Sequence, residues 1–240
     1  MRKATSDYDE IWASIAKSPL AGAYITEAYW LATNVVRRAE EVFRSAKSPG
    51  KPAESYIKVD HDLTTTLTTL LGEAVRLKSL LTERPRNRNQ TDTQYEIQVR
   101  RARWMRDELL KGVKVKALLD ANVRNSLEHF DEYLDEIAIR CHDGAIPRPT
   151  SVPLDVSVGR RKTFERFPIG GKQPHVENLR VYVAADKLFV NAGREINIRA
   201  LQDEARRIMK RLEALVPTDD EHPEQRGSSV FILTDASFAS

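Results

Sequence analysis

Between Leu20 and Ala46 the residues Ile25, Ala28, Tyr29, Ala32, Val35, Val36, Ala39, Val42 and Phe43 recur at helical spacing, with Arg37, Arg38, Glu40 and Glu41 between them. That pattern predicts an amphipathic helix. The run Ser48-Pro49-Gly50-Lys51-Pro52 stops it. A second helix is expected from about Asp60 to Leu81, where Leu63, Leu67, Leu70, Leu71, Ala74, Leu77 and Leu81 form one stripe. Threonines at positions 64–66, 68 and 69 lower its intrinsic propensity, so packing has to support it. The polar stretch Arg84-Pro85-Arg86-Asn87-Arg88-Asn89 is a break. A third helix follows from about Asp92 to Lys111, carrying Tyr95, Val99, Ala102, Trp104, Met105 and Leu109. Past Gly112, the stripe Leu118, Leu119, Val123, Leu127, Phe130, Leu134, Ile137 and Ala138 predicts a fourth helix from about Val113 to Cys141. Short connections favour antiparallel neighbours, so residues 6–143 read as an up-and-down α-helical bundle.

The texture changes at residue 144. Pro147, Pro149, Pro153, Pro168 and Pro174, with Gly144, Gly159, Gly170 and Gly171, make 144–177 loop or edge strand. Leu179 to Val183 and Leu188 to Val190 read as strands around the turn Ala184-Ala185-Asp186-Lys187, and Ile196 to Ile198 as a third. A helix is expected from about Arg199 to Leu215, then an acidic linker over 216–229 and an apolar run, Val230 to Leu233, able to form one more strand. So short a sheet is marginal alone. The fold class expected is therefore mainly α, with 144–240 as a small α+β appendage packed on the bundle.

Composition narrows the classes. The 240 residues hold 38 Lys and Arg against 35 Asp and Glu, a net charge of +3, with 41 % hydrophobic and 30 % charged positions. That is enough apolar material for a core. No run approaches the roughly 18 apolar residues of a membrane span, and Met1-Arg2-Lys3-Ala4-Thr5-Ser6-Asp7 leads into no apolar signal segment. With the single cysteine, Cys141, unable to form an internal disulfide, a cytoplasmic protein without membrane contact is expected. A charge balance this close to neutral argues against broad nucleic-acid coating.

Most chemical motifs fail on inspection. Gly170-Gly171-Lys172 is not a phosphate loop, because Arg166 and Gln173 stand where such a loop needs Gly and Ser or Thr. Glu-x-x-His pairs and His-Glu-x-x-His are missing, and His61, His129, His142, His175 and His222 are scattered. Neither a metal nor a cofactor is expected. There is no Gly-x-Ser-x-Gly elbow, and Cys141 reads as a small residue at a helix end.

One constellation survives, Arg124-Asn125-Ser126-Leu127-Glu128-His129, in the fourth expected helix. At 100° per residue Asn125 and His129 lie about 40° apart, and Arg124 and His129 about 140°, so Arg and His flank a strip of the helix. Histidine, with an ordinary pKa of about 6.5, exchanges a proton at neutral pH, and arginine holds a phosphate bidentately. Together they suit phosphodiester cleavage without a metal. The competing reading is an exposed Arg124–Glu128 pair beside a histidine that closes a bundle face.

Arg124-Asn125-x-x-x-His129 resembles the motif of the HEPN superfamily of helical-bundle proteins, Arg and His separated by four to six residues with a polar residue, often Asn, after the Arg. The resemblance covers the bundle, about residues 6–143, and gives no counterpart for 144–240. It implies a metal-independent endoribonuclease of toxin–antitoxin, antiphage or CRISPR type, a homodimer through the fourth bundle helix that places both motifs in one cleft, RNA as substrate, and a cognate inhibitor or antitoxin as partner. His129 is then general acid or base and Arg124 stabilises the phosphorane, with Asn125 orienting them. Glu128 and Asp131 favour a charged His129 but repel phosphate. A toxin subset carries Tyr two positions after His, where this chain has Asp131; Tyr133 does not match it.

Candidate phosphate-backbone contacts are Arg84, Arg86 and Arg88, then Arg160, Arg161 and Lys162. Arg100, Arg101, Arg103 and Arg106 read better as a solvated helix face. Trp12, Trp30 and Trp104 are expected in the core. The second class of function is a noncatalytic helical module that dimerises or binds a partner or nucleic acid. A DNA-binding regulator ranks last, for want of helix-turn-helix spacing.

Overall fold

The computed structural model describes residues 2–46, 58–120, 122, 130–146, 150–161, 175–191 and 193–216. The described chain is mostly helical with a five-stranded sheet. It packs as two units: Met1–Asn34, Glu73–Leu119 and Glu204–Ser240 form one, and Val35–Gly72 with Asp120–Asp203 the other. This division is not the one expected at residue 143/144. Elements from both sides of that point enter each unit.

The first unit begins with α1 (Arg2–Lys17) and the start of α2 (Pro19–Ser45). Ser18 caps α2: its hydroxyl accepts from the Leu20 N–H at 3.2 Å and donates to the Ile15 carbonyl at 2.8 Å. Pro19 then occupies the first helical position, where no N–H is needed. The second half of α3 (His61–Leu81) brings Ala74, Leu77 and Leu81, all fully buried. Next comes α4 (Asp92–Arg103), opened by a capping box between Thr91 and Gln94 and continued by a π-helical turn, Trp104–Leu109. Trp104 meets Trp12 edge to face, 5.7 Å between ring centres and 67° between planes. Trp30, expected in the core, is 52 % exposed on α2.

The fourth helix does not start at Val113. Residues 113–120 are loop and turn. The described helix there is α5 (Phe130–His142), in the second unit. Its Ile137 packs in a buried cluster with Ile146 and Leu179, against which half-buried Tyr133, Leu134, Cys141 and Val152 lie. Cys141 is thus a packing residue in the last turn. Ala138, expected in the apolar stripe, is exposed.

The second unit's sheet runs in the order β1 (Lys58–Asp60), β3 (Val156–Gly159), β5 (Arg180–Val183), β6 (Leu188–Asn191), β7 (Arg194–Asn197). A separate parallel pair joins β2 (Thr150–Ser151) to β4 (His175–Val176). Strands β5, β6 and β7 make an antiparallel meander, with Tyr182 opposite Phe189 and Phe189 opposite Ile196. These are the strands the sequence predicts. Strand β3 is a correction to the expected loop or edge strand: all four residues are buried, and it pairs antiparallel to β1 and parallel to β5. Strand β1 falls within the segment expected to be purely helical, and it draws that segment into the sheet.

Asp60 ends β1 and caps α3, its carboxylate accepting from the Leu63 N–H at 3.0 Å. The threonines of α3 each donate to the carbonyl four residues back, Thr64 to Asp60 and Thr68 to Thr64 among them. Their hydroxyls are therefore satisfied inside the helix. Thr64 also accepts from the β3 N–H of Val156 at 2.8 Å, which ties α3 to the sheet. The last helix, α6 (Ile198–Leu212), follows β7 directly and ends in a short 3-10 turn, Glu213–Leu215. No helix among the described residues is long and apolar enough to cross a membrane.

Candidate functional site

Arg124, Asn125 and His129 lie outside the described residues, as do Lys162 and the run Val230 to Leu233. The residue after His129 is Phe130, the first residue of α5. One turn further on, the Tyr133 hydroxyl accepts from Arg194 Nε at 3.2 Å, which ties α5 to β7. Exposed Asp131, Glu132, Asp135 and Glu136 make the beginning of α5 strongly acidic.

Five arginines of the basic clusters, Arg86, Arg100, Arg103, Arg106 and Arg161, meet carboxylates. Arg86 pairs with Asp92 and donates to the Gln90 carbonyl at 3.2 and 3.1 Å. Arg84 and Arg88 of the same loop are exposed. Arg161 reaches Asp186 and Glu195, each at 3.4 Å, and Arg160 is exposed. On α4, Arg100 binds Asp9 at 2.8 Å as well as Glu96. Arg103 binds Glu83 at 3.0 Å, and Arg106 binds Asp107 at 3.0 Å with Glu83 at 3.8 Å. The hydrogen bond from Arg103 holds the Glu83 carboxyl below its usual range. Arg101 lies over the Tyr24 ring, 5.7 Å from its centre, and donates to the Ser79 carbonyl at 3.0 Å. Burial pulls its pKa down. Arg100 and Arg103 of α4, with Arg106 of the π-helical turn, thus form an ion-paired face.

A further constellation was not legible in the sequence. Glu204 on α6 is buried at 6 % exposure, and its carboxylate accepts three consecutive backbone N–H groups. Lys116 and Ala117 donate to Oε1 at 2.8 and 2.9 Å, and Leu118 donates to Oε2 at 2.9 Å. Two arginines add to this clamp, Arg207 donating to the Lys114 carbonyl at 3.1 Å and Arg211 to the Leu109 carbonyl at 2.8 Å. Gly112, with φ +83°, supplies the left-handed turn that the loop needs. All these residues belong to the first unit. The sequence signal was the spacing Lys111-x-x-Lys114-x-Lys116, hidden when the segment from Val113 is read as helix.

Among the described residues no three His, Cys, Asp or Glu side chains are grouped to hold a metal ion. No family model matches the chain, and neither the curated proteins nor the solved structures yield a match.

Proposed function

We propose that the chain is a metal-independent endoribonuclease of the HEPN type, acting as a homodimer through the helix that carries Arg124 and His129. The observation that carries this reading is the residue order Arg124-Asn125-x-x-x-His129, directly ahead of α5 in a mostly helical chain. Metal-free phosphodiester cleavage needs a group that moves a proton at neutral pH and a permanent cation for the phosphorane. His and Arg supply these.

In the proposed reaction a ribose 2′-OH attacks the adjacent phosphorus as His129 takes or returns the proton, and the P–O5′ bond breaks. The products are a 2′,3′-cyclic phosphate and a 5′-OH. Arg124 holds the charge that develops on the non-bridging oxygens, and Asn125 orients the pair. On a helix, as the sequence pattern expects, Arg124 and His129 would diverge by about 140°, and a two-fold mate would let two motifs close on one cleft.

The test is cleavage of RNA by purified protein in EDTA, with product ends identified. Wild type is expected to leave cyclic phosphates, and His129→Ala and Arg124→Ala each to lose at least about a hundredfold in rate. Full activity in both variants overturns the assignment. A folded, inactive wild type selects the noncatalytic module instead.

A further inference from the structure

The protein is nearly charge-balanced, yet two short segments of the first unit are not. Residues 109–116 and 206–211 hold seven Lys and Arg among fourteen residues and no Asp or Glu. They are joined by the bonds of Arg207 to the Lys114 carbonyl, of Arg211 to the Leu109 carbonyl, and of three loop amides to Glu204. Lys111, Lys114, Lys116, Arg207, Lys210 and Arg211 are all exposed. On α6, Arg207, Lys210 and Arg211 fall within an arc of about 100°, and the buried stripe of Ala205, Ile208 and Leu212 lies outside that arc. Glu204 sits between the two faces. Its charge is turned inward onto backbone amides; of the other acidic residues nearby, Glu108 and Glu213 flank the two segments and Asp203 falls within the arc.

We propose that this loop and the end of α6 form a binding surface for the phosphodiester backbone of nucleic acid. Arg207 and Arg211 each use a donor on a backbone carbonyl, of Lys114 and of Leu109, which fixes the guanidinium and leaves its charge at the surface. The three lysines of the loop supply hydrated point charges of the kind that replace counterions along a phosphate chain. Neither segment contains an aromatic residue, so bases have nothing to stack on, and recognition is of the backbone without regard to base sequence. An acidic peptide fits less well, because protein interfaces are anchored by large apolar or aromatic side chains. The exposed large apolar residue near the surface in sequence is Leu215.

The proposal goes beyond the catalytic reading and does not depend on it. Its test therefore uses full-length protein carrying Arg124→Ala and His129→Ala, so that binding is read without cleavage. The probe is a labelled oligouridine of about 20 nucleotides, followed by anisotropy across a salt series. In this background the substitutions Lys111→Gln, Lys114→Gln, Lys116→Gln and Lys210→Gln together are expected to weaken binding at least tenfold at about 0.1 M salt. They should also reduce the slope of log K against log salt by about 3, some 0.7 for each phosphate that is no longer neutralised. Lysine-to-arginine changes at the same four positions keep the charge and should restore Kd to within about threefold. Arg103→Gln with Arg106→Gln removes two cations from the ion-paired face and should leave Kd within twofold. An unchanged slope in the glutamine variant overturns the proposal. So does competition by polyglutamate at charge concentrations equal to or below those of unlabelled RNA, which assigns the surface to an acidic protein. If the glutamine variant fails to fold, the single changes Lys114→Gln and Lys116→Gln decide the matter. Each should lower the slope by about 0.7, and no change in either overturns the proposal.

Discussion

Two regions of the first unit carry clustered cations and differ in what surrounds them. Along α4 and its π-helical turn, Arg100, Arg103 and Arg106 face Asp9, Glu96, Glu83 and Asp107. In the loop and α6 surface, Lys111, Lys114, Lys116 and Lys210 have no carboxylate in their segments, and the adjacent Glu204 is buried on backbone amides. Counting arginines would rank the α4 face first. Pairing reverses the order, because a cation already neutralised by a neighbour releases no counterion when a phosphate arrives. What makes a basic patch is where its carboxylates point.

The comparison can be broken most forcefully at Glu204. Glu204→Ala strands three amides that were satisfied by one charged acceptor, and a loss of roughly 3 kcal/mol in urea unfolding is expected. If the loop surface is built by this clamp, oligouridine affinity falls as well although every cation remains. A loss below about 1 kcal/mol would show that the loop holds its shape without it.

A smaller effect tests the α4 face from the opposite side. Glu83→Gln together with Glu96→Gln should cost no more than about 1 kcal/mol, since these pairs are at the surface. The same change releases Arg103, while Arg100 keeps Asp9 and Arg106 keeps Asp107, so RNA affinity should rise about twofold. Unchanged affinity would mean that pairing is not what silences this face.

The smallest effect is in pH. Glu83 has its pKa lowered in the fold, chiefly by the hydrogen bond from Arg103. A carboxyl so shifted binds fewer protons folded than unfolded. Its contribution is fully present above the unfolded value and is lost as pH falls through the lower, folded one. Urea midpoints measured from about pH 5 down to about pH 3 should therefore fall less steeply in Arg103→Gln than in wild type. Parallel curves would remove this pair from the acid sensitivity of the fold.

The elements that were legible in the sequence share one property: the period of their apolar residues agrees with the core they enter. Helices α2 and α3 show it through Ala28, Leu31, Val35, Leu67, Leu70 and Leu77, all buried. The meander β5–β7 shows it through Val181, Val183, Phe189 and Ile196. Strand β1 was missed because three residues carry no period. Strand β3 was missed because the prolines and glycines around it outweighed a four-residue run that is buried throughout. The candidate catalytic set was legible as residue order alone, since Arg, Asn and His at that spacing need no partner from elsewhere in the chain to be noticed.

The apolar periods of the chain are enough to read it as mainly helical with a small sheet, and its residue order alone singles out Arg124-Asn125-x-x-x-His129. Only the tertiary structure decided that Val113 to Leu118 is a loop. Leu118 and Leu119 begin a plausible helical stripe, but a carboxylate 86 to 88 residues further along the chain captures the amides of Lys116, Ala117 and Leu118. Read as helix, Lys114 and Lys116 would be about 160° apart around its axis. Held by Glu204, they belong to one short loop tied to the cationic face of α6. A period in the sequence reports burial along one segment, and no such period records a hydrogen bond that closes across so long a stretch of chain.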